Sequence, residues 1–193
     1  MSNIDFYKMI IKDSLIAGVL IGLGCIVNLS VDSKLLGATL FSLGLITVIL
    51  QQRWLYTGKI GYYAFCWQDT FALITCLIFN LAAIGLMCWT FSHYGEMGID
   101  SSQICEAKLN ESWSSALVKS TGCGMLMYIA VEGYKRSKEL LAVVLPIIVF
   151  ILCGYDHCVA NYGYLAMNDI FYCDQLPIWI AGNTLGSWII SKI

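Results

Sequence analysis

The chain has 193 residues, of which 59% are hydrophobic and only 12% are charged, and its mean hydropathy is +0.73. Because a soluble domain carries about 25% charged residues, this composition excludes a protein whose whole surface faces water. The formal net charge of −2 argues against a nucleic-acid partner, which would require a basic face. Length and hydropathy therefore predict a single transmembrane domain over residues 1–193, surrounded by membrane lipid.

The N-terminal residues 1–14 are amphipathic and lack the pattern of a cleavable signal peptide, so the first apolar stretch is expected to stay in the membrane. A helix needs about 20 residues to cross the hydrocarbon core of a bilayer. On this basis we predict six membrane segments, at about 14–31, 35–50 with a weak continuation at 60–66, 71–91, 115–133, 139–167 and 176–192.

Two of these segments contain polar residues that a lipid-facing helix would not tolerate. The second is interrupted by Gln51, Gln52 and Arg53, and the fifth by Asp156 and His157. Polar groups facing lipid would lack hydrogen-bond partners, so we predict that both helices are broken and that the breaks line a cavity. Broken helices at corresponding positions of two halves are typical of a solute path near the membrane midplane.

A short internal similarity supports a division of the chain into two related halves. Residues 79–85, around Asn80, resemble residues 181–187, around Asn183. In both stretches the Asn lies near small residues, which permit close contact between helices. The pattern indicates an internal repeat.

The basic residues predict the orientation of the chain. A cytoplasmic N-terminus places eight of them inside and three outside, in agreement with the positive-inside rule. The inside set is Lys8, Lys12, Arg53, Lys59, Lys135, Arg136, Lys138 and Lys192, and the outside set is Lys34, Lys108 and Lys119. Both termini are therefore expected in the cytoplasm.

The nine cysteines contain no CxxC pair, so the sequence predicts no zinc site. Six lie within apolar runs, where cysteine packs as a small hydrophobic residue. These are Cys25, Cys76, Cys88, Cys123, Cys153 and Cys158. Cys66, Cys105 and Cys173 lie nearer the segment ends, and an external disulfide among them is left open.

Four stretches, in chain order, carry a resemblance to a known family. They are residues 36–45 followed by 55–57; residues 107–109; Leu145 and Pro146 with Phe150 and 154–161; and residues 175–177 with 182–186. The third is the most specific, because it places Gly, an aromatic residue, an acid and His157 in a row, followed after two residues by Ala160 and Asn161. In these stretches the chain resembles the formate/nitrite transporter family.

The resemblance implies an all-α integral membrane fold with an aquaporin-like protomer. Six transmembrane helices would form two inverted repeats of three, over about 1–92 and 105–193, with the second and fifth helices broken. It also implies a channel or transporter for small monovalent anions of weak acids (formate, nitrite or hydrosulfide), with no catalytic residues, metal or cofactor. A homopentamer in the plasma membrane, with one pore in each protomer, completes the expectation.

The family's functional residues map onto named positions of this chain. The resemblance assigns Phe41, Leu45 and Phe150 to an outer constriction, Leu55, Tyr56 and Met127 to an inner one, Thr57 and His157 to the centre, and Lys108 to the vestibule. Gly124 and Asn161 are further candidate pore residues. Family members usually carry Asn where this chain has Gly124, so the resemblance does not decide the preferred substrate.

A chemical hypothesis follows from these residues. Apolar constrictions exclude hydrated ions, whereas Lys108 attracts an anion to the entrance. Desolvation favours the protonated form of a weak acid. We expect the anion to gain a proton, from His157 or from water, and to cross as the neutral acid while His157 and Thr57 bind it midway.

Other interpretations of the same residues stay open on the sequence alone. His157 could be a packing residue, Lys108 a solvated residue of the polar loop 106–115, and Thr57 the cap of a half-helix. Asp156 is expected to satisfy backbone donors at the break. A channel for a neutral solute is the alternative transport function, although Lys108 disfavours it, and no HExxH or GxSxG motif supports an enzyme.

Overall fold

The computed structural model describes residues 3–193, which form helices and connecting segments without a β-strand. The helices are α1 (Asn3–Leu29), α2 (Lys34–Leu50), α3 (Tyr56–Lys59, followed by the 3₁₀ turn Ile60–Tyr62), α4 (Trp67–Tyr94), α5 (Ser102–Leu109), α6 (Trp113–Ser137), α7 (Leu141–Leu152), α8 (Cys158–Ala166) and α9 (Leu176–Ser191).

Both predicted helix breaks are confirmed. The second membrane segment is divided into α2 and α3, with residues 51–55 between them, and the fifth into α7 and α8, with residues 153–157 between them. Among the described residues, α1 and α4 are each long and apolar enough to cross a membrane, whereas α2 and α7 are shorter apolar helices. The shorter lengths follow from the breaks, because each of these crossings is shared between two pieces.

The first helix is longer than the sequence predicts. It begins at Asn3, not near residue 14, and its first turns pack against the bundle through the buried Ile10 and through Phe6, whose ring contacts that of Trp54. The amphipathic character of this stretch therefore reflects a helix with one packed face. Met1 and Ser2 lie outside the described residues.

The packing follows an inverted repeat. In the first half α1 packs against α2 and α4, and in the second half α6 packs in the same way against α7 and α9. Each short half-helix packs against the other half of the chain. Helix α3 contacts α6 and α9, whereas helix α8 contacts α4 and α1. Glycines permit the closest approaches: a side chain on Gly18 would collide with α4, and one on Gly186 with α6. The two halves therefore interlock through their broken helices.

The outside of the bundle is apolar. Leu43, Leu86 and Val118 are 66%, 66% and 72% exposed, and they belong to a larger set of exposed leucine, isoleucine, valine and aromatic side chains. A water-soluble monomer rarely exposes so much contiguous apolar surface. This surface suits hydrocarbon chains or further protein, as the composition predicts.

No disulfide forms among residues 3–193, because all nine cysteines are free thiols. Five of the six cysteines expected to pack internally are buried. Cys153 is the exception: it is exposed at the end of α7, because the chain leaves the bundle there before the second break, so the expectation of packing is wrong for this residue. Cys105 and Cys173 are buried and Cys66 is exposed.

Candidate pore site

Asn80 of α4 holds the first helix break together. Its side-chain oxygen accepts a hydrogen bond of 2.8 Å from the amide of Tyr56, the first residue of α3. Its amide group donates to the carbonyl oxygens of Ser14, at 2.8 Å, and Trp54, at 2.9 Å. Buried backbone groups must be paired where water is absent, and Asn80 pairs two of them at this break while its bond to Ser14 ties the break to α1.

Asn183 of α9 does the same at the second break. Its side-chain oxygen accepts from the amide of Cys158, the first residue of α8, at 2.8 Å. Its amide group donates to the carbonyl oxygens of Ser120, at 2.8 Å, and Asp156, at 2.7 Å. The similarity between residues 79–85 and 181–187 thus corresponds to one structural device used in both halves.

This correspondence aligns the residues of the two breaks. Leu55 and His157 occupy equivalent positions, each directly before the first residue of a half-helix, and Thr57 is equivalent to Val159. Each half therefore contributes one polar and one apolar side chain at these two positions. The repeat is symmetric in its backbone and asymmetric in its chemistry.

The two polar side chains, Thr57 and His157, meet in the interior. Oγ1 of Thr57 lies 2.9 Å from Nε2 of His157, and the two residues are 1% and 3% exposed. Nδ1 of the same ring accepts a hydrogen bond of 3.1 Å from the amide of Ala160 and so caps α8. Because Nδ1 acts as an acceptor, the neutral ring carries its proton on Nε2, which donates to Thr57. The hydroxyl hydrogen of Thr57 then has no other acceptor within residues 3–193 and can be donated to a solute.

Aromatic rings cover one side of this pair. The rings of Phe41 and Phe150 pack edge to face with their centroids 5.6 Å apart, and the centroid of Phe150 is 6.0 Å from that of His157. Phe41 and Phe150 lie on α2 and α7, the first pieces of the two broken helices. The structure thus brings these two residues of the expected outer constriction together, next to His157.

The remaining constriction residues are also buried. Leu55 is 1% exposed, Met127 is 1% exposed, and the hydroxyl of Tyr56 lies 2.8 Å from Oγ1 of Thr184. Leu45, which the resemblance assigns to the outer constriction, lies next to the cavity that Leu55 also lines. In this structure Leu45 therefore faces the end of the molecule that carries the first break.

A cavity of about 590 Å³ opens at the first break, where the sequence predicts one. Its lining includes the polar residues 51–53 and the lysines Lys59, Lys135 and Lys138. Arg53 forms an ion pair of 2.6 Å with Asp13 of α1, so its charge does not face lipid.

Lys108 is neither solvated nor in an extended loop. It lies on the short helix α5, which the sequence analysis missed, and its Nζ lies 2.8 Å from the carbonyl oxygen of Gly154 and 3.3 Å from that of Tyr155. The same Nζ forms an ion pair of 2.5 Å with Oδ1 of Asp156. This oxygen also accepts a hydrogen bond of 2.8 Å from the side-chain amide of Asn161. Asp156 therefore binds two side chains, and the expectation that it satisfies backbone donors is wrong.

Gly124 and Asn161 do not line the pore in this structure. A side chain on Gly124 would collide with the backbone carbonyl of Asn183, and the Gly124 carbonyl accepts 3.0 Å from Ser187, so this residue sets the contact between α6 and α9. Asn161 is 3% exposed and directs its amide to Asp156. In this structure one is a packing residue and the other positions a carboxylate.

Glu111, to which the sequence analysis assigned no role, lies beside the second break. Its side chain is 5% exposed, and its Oε1 forms an ion pair of 2.5 Å with Lys119. The same oxygen accepts a hydrogen bond of 2.6 Å from the hydroxyl of Ser115. The carboxyl group of Glu111 also interacts with that of Asp156. In the sequence, the one indication of a role for Glu111 is its position three residues after Lys108. Only the fold of α5 brings Glu111 and Lys108 to the second break.

The geometry defines a class of protein. Two broken helices meet end to end at a buried polar pair, inside a bundle with an apolar exterior, and this architecture belongs to membrane transport proteins. The sequence model of the formate/nitrite transporter family matches residues 2–192. The chain belongs to this family, whose members are integral membrane channels and transporters.

Individual relatives agree with this assignment. The chain is 25% identical to the formate channel BtFdhC of Bacillus thuringiensis, over 89% of this chain and 79% of that protein. It is 23% identical to the formate channel FocB of Escherichia coli strain K12, over 81% of this chain but 57% of that protein. The chain thus spans little more than half the length of some relatives.

Solved structures establish the fold. A pentameric formate channel with formate bound superposes with a TM-score of 0.80 at 18% identity, covering 99% of this chain and 95% of that one. A structure described as an FNT family ion channel gives a TM-score of 0.78 at 22% identity, covering 100% of this chain and 87% of that one. The expected all-α membrane fold of two inverted repeats is confirmed.

Proposed function

We propose that the protein is a channel for small monovalent anions of weak acids, with formate as the first candidate and nitrite and hydrosulfide as alternatives. The observation that carries the proposal is the Thr57–His157 pair, buried next to the Phe41 and Phe150 rings with one hydroxyl hydrogen free for a solute. Formate channels among the relatives support the choice of solute. The pair offers hydrogen bonds to a small acid, and the apolar walls disfavour any hydrated ion.

The proton is taken up before the solute reaches His157. Nδ1 of His157 faces the amide hydrogen of Ala160, so the ring has no free nitrogen on which to carry an additional proton. A weak acid entering the dry region gains its proton from water at the entrance, because desolvation disfavours the anion. It then crosses as the neutral acid and accepts a hydrogen bond from Thr57.

Lys108 supplies the positive charge at the entrance, in the proposed mechanism. Its ammonium group is bound to Asp156 and to two carbonyl oxygens at the second break, and 13% of its side chain is exposed. A cation fixed at that point attracts anions and raises their local concentration. We also propose that the chain assembles as a homopentamer in the plasma membrane, with both termini cytoplasmic, since a solved structure of the same fold is described as pentameric.

Flux measurements in liposomes test this function. Purified protein is reconstituted, and the initial uptake of formate, nitrite and hydrosulfide is followed between about pH 5 and pH 8, beside the Lys108→Ala variant. Lys34→Ala is the matched control, because Lys34 is an exposed lysine at the start of α2. Saturable, pH-dependent anion uptake that falls with Lys108→Ala and not with Lys34→Ala is expected.

A further variant separates charge from folding. Lys108→Ala alone leaves the Asp156 carboxylate buried and without its cation, which destabilises a fold. Lys108→Met combined with Asp156→Asn removes both charges and keeps the volumes similar. Slow anion uptake by a stable double variant supports the proposed role of Lys108. Uptake of water or glycerol without anion uptake would instead establish a channel for neutral solutes.

A further inference from the structure

Two buried carboxyl groups at the second break each have one oxygen without a hydrogen-bond partner. These oxygens are Oε2 of Glu111 and Oδ2 of Asp156, and neither has a donor within residues 3–193. The side chains are 5% and 0% exposed, so water does not compensate for the missing partners. An unpaired carboxylate oxygen in such surroundings is costly and calls for an explanation.

The other oxygen of each group is fully engaged. Oε1 of Glu111 pairs with Lys119 at 2.5 Å and accepts 2.6 Å from Ser115. Oδ1 of Asp156 pairs with Lys108 at 2.5 Å and accepts 2.8 Å from Asn161. The cations and donors therefore engage one oxygen of each carboxyl group and leave the other oxygen of each without a partner.

The two carboxyl groups are close enough to affect each other's protonation. Two ionised carboxylates have only acceptors to offer, so neither can bind the other until one of them carries a proton. A single proton converts the pair into a charge-assisted O–H···O⁻ hydrogen bond and satisfies both remaining oxygens. Paired carboxylates hold one proton in this way because like charges at close range do not both ionise readily.

We propose that Glu111 and Asp156 hold one exchangeable proton between them and that this proton sets the charge at the Lys108 entrance of the pore. The inference rests on the proposed function as an anion channel. With both carboxylates ionised, they balance the two cations Lys108 and Lys119, and the group is neutral. With the shared proton bound, the group has a net charge of +1, so acidification on this side of the membrane increases the attraction for anions.

The other groups around the pair are consistent with a proton shared in this manner. Lys108 faces it from α5, Lys119 and the buried thiol of Cys123 from α6, and Asn161 from α8. Burial raises the pKa of Glu111, but hydrogen bonds from Lys119, Ser115 and Asp156 outweigh this and leave that pKa below its ordinary value. Glu111 is therefore the acceptor of the shared hydrogen bond, and the proton resides mainly on Asp156.

The first test measures formate uptake against the pH of the entrance side, for wild type, Glu111→Gln and Glu106→Gln. Formate remains ionised over the range from about pH 5 to pH 8, as carboxylic acids of pKa near 4 do, so the comparison reports on the protein. Glu106 is an exposed glutamate of α5, and its substitution makes the same charge change outside the pair.

We expect Glu111→Gln to raise uptake at about pH 8 by roughly tenfold, because the neutral amide fixes the net charge of the group at +1. Its uptake at low pH should equal that of wild type, so its pH profile is flatter, and Glu106→Gln should retain the wild-type profile. An unchanged profile for Glu111→Gln, or equal increases in both variants, would overturn the proposal.

The second test does not depend on transport. Infrared difference spectroscopy during a pH change detects the carbonyl stretch of a protonated, buried carboxyl group. We expect this band in wild type and in Glu106→Gln near neutral pH, and its loss in Glu111→Gln. Absence of the band in wild type would refute the shared proton, whereas its presence in a protein that carries no anion would refute only the proposed function.

Discussion

Asn80 and Asn183 make equivalent hydrogen bonds at the two helix breaks, although they lie in different halves of the chain. Each accepts from the amide that begins a half-helix and donates to two carbonyl oxygens, one of them two residues before that amide. A helix can be broken within a membrane only if protein groups replace the lost hydrogen bonds. These two side chains therefore make it possible for polar residues to reach the centre of the bundle.

Replacement of either Asn by Ala should destabilise the protein strongly. The Asn183→Ala change leaves the buried amide of Cys158 and the carbonyl oxygen of Asp156 unpaired, at about 1–3 kcal/mol each, so we expect a loss of at least about 2 kcal/mol. Thermal unfolding of the purified protein in detergent measures the effect. Asn28→Ala is the control, because Asn28 makes a single bond to the Tyr164 hydroxyl and should lose about 1 kcal/mol or less. Similar unfolding temperatures for Asn183→Ala and Asn28→Ala would contradict the assigned role.

Loss of the hydroxyl of Thr57 should slow transport in a protein that still folds, although it leaves the Nε2 hydrogen of His157 unpaired at a cost of about 1–3 kcal/mol. Thr57→Val keeps the shape of the side chain and removes the only hydrogen that the Thr57–His157 pair can donate to a solute. One such hydrogen bond contributes about 1 kcal/mol or more, so anion uptake should fall by roughly tenfold. Thr57→Ser keeps the hydroxyl and should retain most of the uptake. If Val and Ser variants transported equally, the hydroxyl would have no role in binding the solute.

Substitution of His157 by Asn can separate its two tasks. The imidazole caps α8 through Nδ1 and binds Thr57 through Nε2. Asn is a favourable N-cap residue but its side chain is too short to serve both partners, so α8 should remain stable while the central pair is lost. We expect an unfolding temperature close to wild type together with a large decrease in anion uptake. Unchanged uptake with an unchanged pH dependence would mean that His157 only caps α8 and has no role in transport.

Much of the fold could be predicted because it depends on local constraints of the membrane. Polar residues such as Gln51 and Asp156 within apolar segments allowed few outcomes other than a helix break, since unpaired polar groups in lipid are too costly. The start of α1 could not be predicted, because Ile10 is buried in the folded bundle and Asp13 is paired with Arg53, far along the chain. Amphipathic residues at a membrane surface fit a packed helix and a loose segment equally well.

The partners of the charged residues at the second break could not be predicted for a related reason. Lys108 and Asp156 are separated by about 48 residues, and nothing local to either one indicates the ion pair. Glu111 was missed because a glutamate in a polar connection is ordinarily solvated. Only the position of the short helix α5 across the break brings Glu111, Lys108 and Asp156 together.

Gly124 offers the sharpest test of the packing, because the resemblance implied a pore residue at this position. A β-carbon at Gly124 would collide with the backbone carbonyl of Asn183, which a flexible side chain cannot relieve. Gly124→Ala should therefore push α9 away from α6 and disturb Asn183, with a destabilisation of about 1–3 kcal/mol. Gly58→Ala is the matched control, because its β-carbon would meet only Val131 at an ordinary contact distance of 3.5 Å. Thermal unfolding should separate the two variants clearly. A Gly124→Ala protein that is as stable as wild type but has altered anion selectivity would show that this residue lines the pore.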